Sequence, residues 1–239
     1  MRASFSCFVT GTDTEIGKTL IASALTYALV QTGAKVAAMK PVAAGATAVM
    51  SSSGEVWHND DADQLAQAAN VVLPMELAVP YLLREPAAPH IVAKQENVHI
   101  DLAHIRACYD KVAVQADAVV VEGVGGFCVP LNDEFDTADL ARQLGLPVIM
   151  TVGLRLGCIS HALLTAEAIA ARGLTLVGWV ANTVDESMRY AEDNVEALVQ
   201  RLPAPLLGCV PRLAAPLPAA AADCLDFSRL PGWPGKRVA

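Results

Sequence analysis

Aromatic side chains are scarce: Phe, Trp and Tyr make up 5% of the 239 residues, although hydrophobic residues reach 54%. The apolar mass is therefore aliphatic and small, Ala and Val above all. Basic residues are also short, with 17 Lys and Arg against 25 Asp and Glu and a formal net charge of −8. That balance excludes a general surface for nucleic acid or anionic membrane, while leaving room for a local basic pocket. No apolar run approaches the roughly 18 residues that cross a bilayer. The opening MRASFSCFVTG lacks the charged-then-apolar order of a secretory signal. A soluble, cytoplasmic protein with no nucleic-acid or membrane partner is expected. Six cysteines stand singly, at Cys7, Cys108, Cys128, Cys158, Cys209 and Cys224, with no CxxC and no zinc-finger His spacing. Neither a disulfide framework nor a metal staple follows, and the thiols read as buried and reduced.

What is present is an alternation of short aliphatic runs and longer helix-like stretches. The strand candidates are Ser6–Thr10, Lys35–Met39, Ala118–Val121, Pro147–Val152, Leu174–Val180 and Leu206–Val210. Helical spacing marks Thr19–Val30, with Gly33 as its C-terminal cap, and then roughly 100–115, 136–144, 158–172 and 187–201. Continuous aliphatic runs alternating with helices predict a mostly parallel sheet covered on both faces, an α/β three-layer sandwich. Right-handed crossovers put the loops that follow the strands on one edge, where ligands bind. One domain over residues 1–230 is expected, with 231–239 as a flexible tail. Residues 41–59, small and polar, read as a mobile loop near the site.

Between the first strand and first helix lies Gly11-Thr12-Asp13-Thr14-Glu15-Ile16-Gly17-Lys18-Thr19. Such a loop wraps phosphates in backbone N–H groups and aims a helix N-terminus at their charge. Lys18 would bridge the β- and γ-phosphates of ATP, and the Thr19 hydroxyl would ligate Mg²⁺. Five residues separate Gly11 from Gly17 where the common P-loop pattern has four. The chain also lacks an NKxD-type guanine reader.

Other residues admit two readings from their pattern alone. Lys40, held extended by Pro41, is either an exposed strand-end lysine or the holder of an anion beside the γ-phosphate. Glu122 closes a buried aliphatic run, where a carboxylate needs a partner; a metal ion against Thr19 would supply one, a loop cap is the alternative. Asp60, Asp61 and Asp63 follow the N-cap candidate Asn59, either as ordinary first-turn acids or as something more. Gly153–Ser160 leads into a helix whose first N–H groups form an anion site, or Ser160 is a plain cap. Asn182 ends a strand as a turn residue or as a donor–acceptor pair for an adenine edge.

The stretches FVTGTDTEIGKT, KPVAAG, NDDADQLAQ, EPAAPHI, VVVEGVGG, LPVIMTVGLRLGCISHALLTA, GLTLVGWVAN and PAPLLGCVPRL run in order from residue 8 to about 213. Together they resemble the dethiobiotin synthetases, P-loop ATP-dependent carboxylases of biotin synthesis. The resemblance implies that 7,8-diaminononanoate, CO₂ and ATP react with Mg²⁺ as cofactor. It implies Lys40, Lys18 and Glu15 as catalytic residues and Thr19, Asp61 and Glu122 as metal ligands. Nucleotide contacts would come from Thr14, Glu15, Ile16, Gly17, Lys18, Thr19, Leu20, Asp61, Glu122, Gly123, Val124, Gly125, Asn182, Thr183, Pro211, Arg212 and Leu213. Substrate contacts would come from Lys40, Ala44, Gly125 and Gly126, and from Gly157, Cys158, Ile159 and Ser160 of the neighbouring subunit in a homodimer. Ala44 stands where the family pattern has a serine, so a hydroxyl contact is missing while backbone contacts from Ala44 and Gly45 stay available. His90, in APHI, receives no role. The alternatives are a cobyrinate-type amidoligase, for which 239 residues leave no room for a glutaminase domain, and a ParA/MinD-like switch, whose extra loop lysine is replaced by Thr12 and Asp13.

Overall fold

The structure, a computed structural model, describes residues 3–51 and 54–235. In chain order the elements are β1 (Phe5–Gly11), α1 (Lys18–Gln31), β2 (Val36–Met39), β3 (Val42–Ala44), β4 (Thr47–Ser51), β5 (Gly54–His58), α2 (Asp60–Ala68), α3 (Met75–Ala78), β6 (Tyr81–Leu83), α4 (Pro89–Gln95) and α5 (Leu102–Ala113). They continue with β7 (Ala118–Glu122), α6 (Thr137–Leu144), β8 (Val148–Leu154), α7 (Cys158–Ala171), β9 (Leu176–Thr183), α8 (Ala191–Val199), β10 (Leu206–Val210) and α9 (Pro218–Ala222).

Six strands form one sheet in the order β10-β9-β8-β1-β7-β2, every pair parallel. The period of two along each strand divides the core. Phe8, Val119 and Val121 join Met39, Ile105 and Trp179 on one face; Val9 and Val120 join Ile21, Leu25 and Ile149 on the other. Because both faces are covered, the central strands read as unbroken aliphatic runs, and all six appear where the sequence places them. The chain leaves β1 for β2, skipping the place later filled by β7, and then crosses from β7 over β1 to β8. This reversal puts a crevice at the carboxyl end of β1, the position where such sheets bind ligands.

The expected mobile loop over 41–59 is corrected. Val42–Ala44 pairs in parallel with Tyr81–Leu83, and β4 and β5 form an antiparallel hairpin in which Val49 faces Val56 and Ala48 faces Trp57. Cross-strand apolar pairs and the Arg84 guanidinium 4.7 Å over the Trp57 ring hold it. Ser52 and Ser53 lie outside the described residues. The start of the expected tail also has a fixed place, since Trp233 stacks on Phe227 and meets the edge of Phe5. Among the cysteines Cys7, Cys108 and Cys158 are buried, whereas Cys128 and Cys209 are exposed, against the expectation of buried thiols. Cys209 sits on β10, the edge strand of the sheet, along which the 224–229 segment bridges at Gly208 and Leu225. Among the described residues no helix is long and apolar enough to cross a membrane.

On that edge Gly208 has φ +154°, and a Cβ there would collide with the Cys224 carbonyl oxygen. Backbone cannot yield as a side-chain tip does. Gly208→Ala is therefore expected to lower stability by about 2–3 kcal/mol, read as a shift in the urea midpoint at unchanged slope.

Candidate active site

The loop after β1 takes its shape from three local features. Gly17, at φ +83°, turns the chain into α1, and Glu15 adopts a left-handed φ of 56° that few non-glycine residues accept. Ile16 is buried against Gly153 of β8, where a Cβ would come within 2.6 Å of its side chain. Lys18 opens α1, is nearly fully buried, and donates from Nζ to the Asp13 carbonyl at 2.9 Å. Burial first, and the neighbouring charge of Lys40 second, lower its pKa to about 8, because both disfavour another positive charge.

Beside Lys18 a buried charge cluster assembles from four elements. Lys40, 3% exposed, directly follows β2 and donates to Asp61 Oδ2 at 2.9 Å, to Glu122 Oε1 at 2.5 Å and to the Gly123 carbonyl at 3.2 Å. Burial alone would lower the Lys40 pKa, but the two carboxylates outweigh it and hold the ammonium charged. Burial likewise works against ionised Asp61, yet Lys40 and the Thr19 hydrogen bond keep its pKa low. Glu122, with no exposure at all, is raised: burial dominates and Lys40 offsets only part of it. Of the three early acids of α2 only Asp61 enters this cluster. Asp60 is exposed, and Asp63 pairs with His58 at 3.2 Å. Asn59 is the N-cap, accepting from the Ala62 N–H.

The donor set fits a hard divalent cation. Thr19 Oγ1 lies 2.7 Å from Asp61 Oδ1 and 2.9 Å from Glu122 Oε1, and one hydroxyl hydrogen cannot serve both carboxylates at once. Glu122 Oε2 is buried without a hydrogen-bond partner. Two carboxylates and a hydroxyl are the hard oxygen ligands Mg²⁺ takes, its remaining positions going to water and phosphate. Among the described residues no three His, Cys, Asp or Glu gather as a metal site, and the set here is two carboxylates with the Thr19 hydroxyl.

A cavity of about 790 Å³ opens over this cluster, lined by Thr14, Glu15, Gly17, Lys18, Thr19, Leu20, Lys40, Ala44, Asp61 and Gly125 from among the expected residues. Its far wall was not foreseen as lining: Gln64, Pro86, Ala87, Ala88, Pro89, Val129 and Pro216. Gln64 carried a signal, since it stands three residues after Asp61 on one helix face. Ala44 reaches the cavity, but its carbonyl and that of Gly45 accept hydrogen bonds from Asn59 Nδ2 at 3.2 Å, and the Gly45 N–H donates to Glu85. The backbone contacts expected at this turn are thus largely committed within the protein. Gly126 lies beside the phosphate loop, where a Cβ would find ordinary contact 3.8 Å from the Gly11 carbonyl; Gly123 packs on Phe8, and Val124 packs on the core.

Ile16, Glu122, Gly123, Val124 and Gly126 lie outside the cavity lining, as do the expected base pocket and the start of α7. Asn182 is buried and donates Nδ2 to the Ile16 carbonyl at 2.8 Å, so it supports the phosphate loop with one of its amide hydrogens. It pairs in register with Val210, which brings Thr183 and the exposed Pro211 and Arg212, with Leu213, to the same sheet edge. At the start of α7, Gly157 is the N-cap at φ +95°, the Cys158 side chain is buried, and Ile159 and Ser160 follow at the helix surface. None of these four lines the cavity of its own chain.

A phosphate loop between the central strand and its helix, with a buried lysine and two carboxylates at the loop's far side, defines a P-loop nucleoside triphosphatase. Comparison with known proteins agrees at two levels. For fold, the MinC:MinD cell division complex of Aquifex aeolicus is similar at a TM-score of 0.57 and 16% identity, covering 88% of this chain and 82% of that one. A ParA family ATPase of Chlorobium tepidum TLS is similar at a TM-score of 0.53 and 15% identity, covering 89% and 86%. At such identities the likeness is one of fold alone. For sequence, a family model described as an AAA domain matches residues 6–217. The ATP-dependent dethiobiotin synthetase BioD of Janthinobacterium sp. (strain Marseille) is 73% identical over 234 residues, 98% of this chain and 99% of that protein. The chain belongs to the dethiobiotin synthetase family.

Proposed function

We propose that the protein is the ATP-dependent ligase that joins 7,8-diaminononanoate and CO₂ into dethiobiotin, releasing ADP and phosphate. The observation that carries this reading is the convergence of Lys18, Thr19, Lys40, Asp61 and Glu122 beneath one cavity. A substrate amine captures CO₂ as a carbamate and releases a proton. A carbamate oxygen attacks the γ-phosphorus and ADP leaves, giving a carbamic–phosphoric anhydride. The second amine attacks the carbamoyl carbon, the C–O bond to phosphate breaks, and the ureido ring closes with loss of a proton.

No covalent bond to the enzyme is needed, so positioning and charge neutralisation are its contribution. Lys18 steadies the β- and γ-phosphate oxygens. Lys40, kept charged by its carboxylates, contacts the carbamate and the transferred phosphoryl group. Thr19, Asp61 and Glu122 hold Mg²⁺, which supplies neutralisation of phosphate charge when bound. Glu15 orders the loop around nucleotide. Nearby positive charge lowers the pKa of the attacking amines from the alkylamine range near 10.4, favouring the neutral nucleophile. Ala44 offers the substrate a methyl group only, and Ala44→Ser is expected to lower the KM for the diamine about twofold to fivefold through a new hydrogen bond, measured at saturating ATP.

The start of α7 is assigned to the partner's substrate site in a homodimer. Support comes from its absence from its own chain's cavity and from Leu156 beside it, 93% exposed, with Leu164 also exposed further along α7. Analytical ultracentrifugation should give about twice the 25.0 kDa chain mass; a monomer at micromolar concentration would refute the assignment. The reaction is tested by incubating pure protein with MgATP, the diamine and labelled bicarbonate. Acid-stable labelled product, formed in step with ADP, is expected, and its absence would sink the proposed function.

A further inference from the structure

The carboxyl end of β8 touches the phosphate loop at every second residue. The Thr151 carbonyl accepts from the Thr12 N–H at 3.1 Å, Gly153 receives the Ile16 side chain, and Arg155 Nη2 donates to Asp13 Oδ2 in an ion pair. β1 pairs with β8 as far as Gly11 opposite Thr151, so the loop that follows β1 runs alongside the residues that follow Thr151.

Asp13 is the point where this support meets the chemistry. Its other carboxylate oxygen accepts from the Thr14 N–H at 2.7 Å, and its main-chain carbonyl accepts from Lys18 Nζ at 2.9 Å. The carboxylate held by Arg155 thus fixes the orientation of the residue whose carbonyl aims Lys18. Arg155 sits one residue beyond β8 and is partly exposed. An exposed pair of this kind adds little to global stability, because water screens it and holding two side chains in one geometry costs entropy. Its consequence falls on the local geometry of the loop.

We propose that Arg155 is a positioning residue for the phosphate loop, acting through Asp13 to hold Lys18 where it meets ATP. The proposal rests on the reading of this loop as the ATP site. Arg155 meets Asp13 through Nη2 of a rigid planar guanidinium, while the Thr14 N–H holds the other oxygen; a lysine at that place would supply charge with looser geometry.

The test uses the full-length enzyme with Arg155→Ala, Arg155→Lys, Asp13→Asn and the Arg155→Ala/Asp13→Asn double variant, and Lys18→Ala as control. The KM values for ATP and for the diamine, kcat, and equilibrium binding of a non-hydrolysable ATP analogue are measured for each. Arg155→Ala is expected to raise the ATP KM about fivefold to tenfold, with the diamine KM within about twofold and the thermal midpoint unchanged. Arg155→Lys should recover about half of that loss on a logarithmic scale. Asp13→Asn should match Arg155→Ala, and the double variant should be no worse than either, since both remove one link. An unchanged ATP KM in Arg155→Ala overturns the proposal, as does a rise confined to the diamine KM or a fully additive double variant. If Lys18→Ala keeps wild-type affinity for the analogue, the loop is not the ATP site and the underlying reading fails. If Lys18→Ala loses affinity while Arg155→Ala does not, only the positioning role fails.

Discussion

Lys40→Ala is expected to lower kcat by about a hundredfold to a thousandfold, the scale of removing a single preorganised donor from a developing anion, while leaving ADP affinity within about threefold. Lys40 bonds the two carboxylates that meet Thr19 rather than the phosphate loop itself, so it is expected to contribute to the transferred group and the carbamate more than to the retained diphosphate. Single-turnover kinetics with bound ATP separates the two effects. The variant also removes the cation that balances Asp61 and Glu122, and breaking a buried pair by deleting one partner is strongly destabilising. Lys40→Met fills the space without the charge and serves as the second variant. If either folded variant retained full turnover, the catalytic assignment of Lys40 would be wrong.

The second large effect is expected at Glu122. Glu122→Gln keeps the side-chain shape and removes one of the two negative charges beside Thr19 and Lys40. A hard cation loses an anionic ligand, and the Mg²⁺ concentration for half-maximal activity is expected to rise about tenfold or more. Binding of Mn²⁺ to the ADP complex, followed by electron paramagnetic resonance, should weaken in parallel. The same substitution removes the leading attraction that keeps Lys40 charged against its burial. Turnover at saturating metal is therefore expected to remain about tenfold to a hundredfold below wild type. An unchanged metal requirement would refute Glu122 as a ligand, whatever happens to kcat.

The central strands were legible because burial on both faces writes itself as an uninterrupted aliphatic run, as in AVVV of β7. The hairpin over 47–58 was not, since its two strands are only five residues each and stand on either side of a serine run in the sequence, which dilutes the apolar pattern. Trp233 was read with the terminal Pro-Gly stretch around it, and only the aromatic neighbours Phe5 and Phe227, far away in sequence, give it a place. At α2, three aspartates within four residues are equivalent on paper; the rotation of the helix turns Asp61 alone toward Lys40 and Thr19. The chemistry of Asn182 left a turn residue and an adenine reader both open, and only the fold shows that one of its amide hydrogens goes to the Ile16 carbonyl.

Taken alone, the sequence determined what depends on neighbours along the chain: the strand and helix periods, the phosphate loop between β1 and α1, the Asn59 cap, and the acidic composition. Tertiary structure alone decided which of those residues meet. Lys40 and Glu122 are 82 positions apart, and they meet because β2 pairs with β7; Arg155 and Asp13 are 142 apart, and they meet because β8 pairs with β1. Local pattern reports burial and backbone preference, because those are set within a few residues. Charge pairing depends on distance in space, and that distance is fixed only when the crossovers have chosen their neighbours.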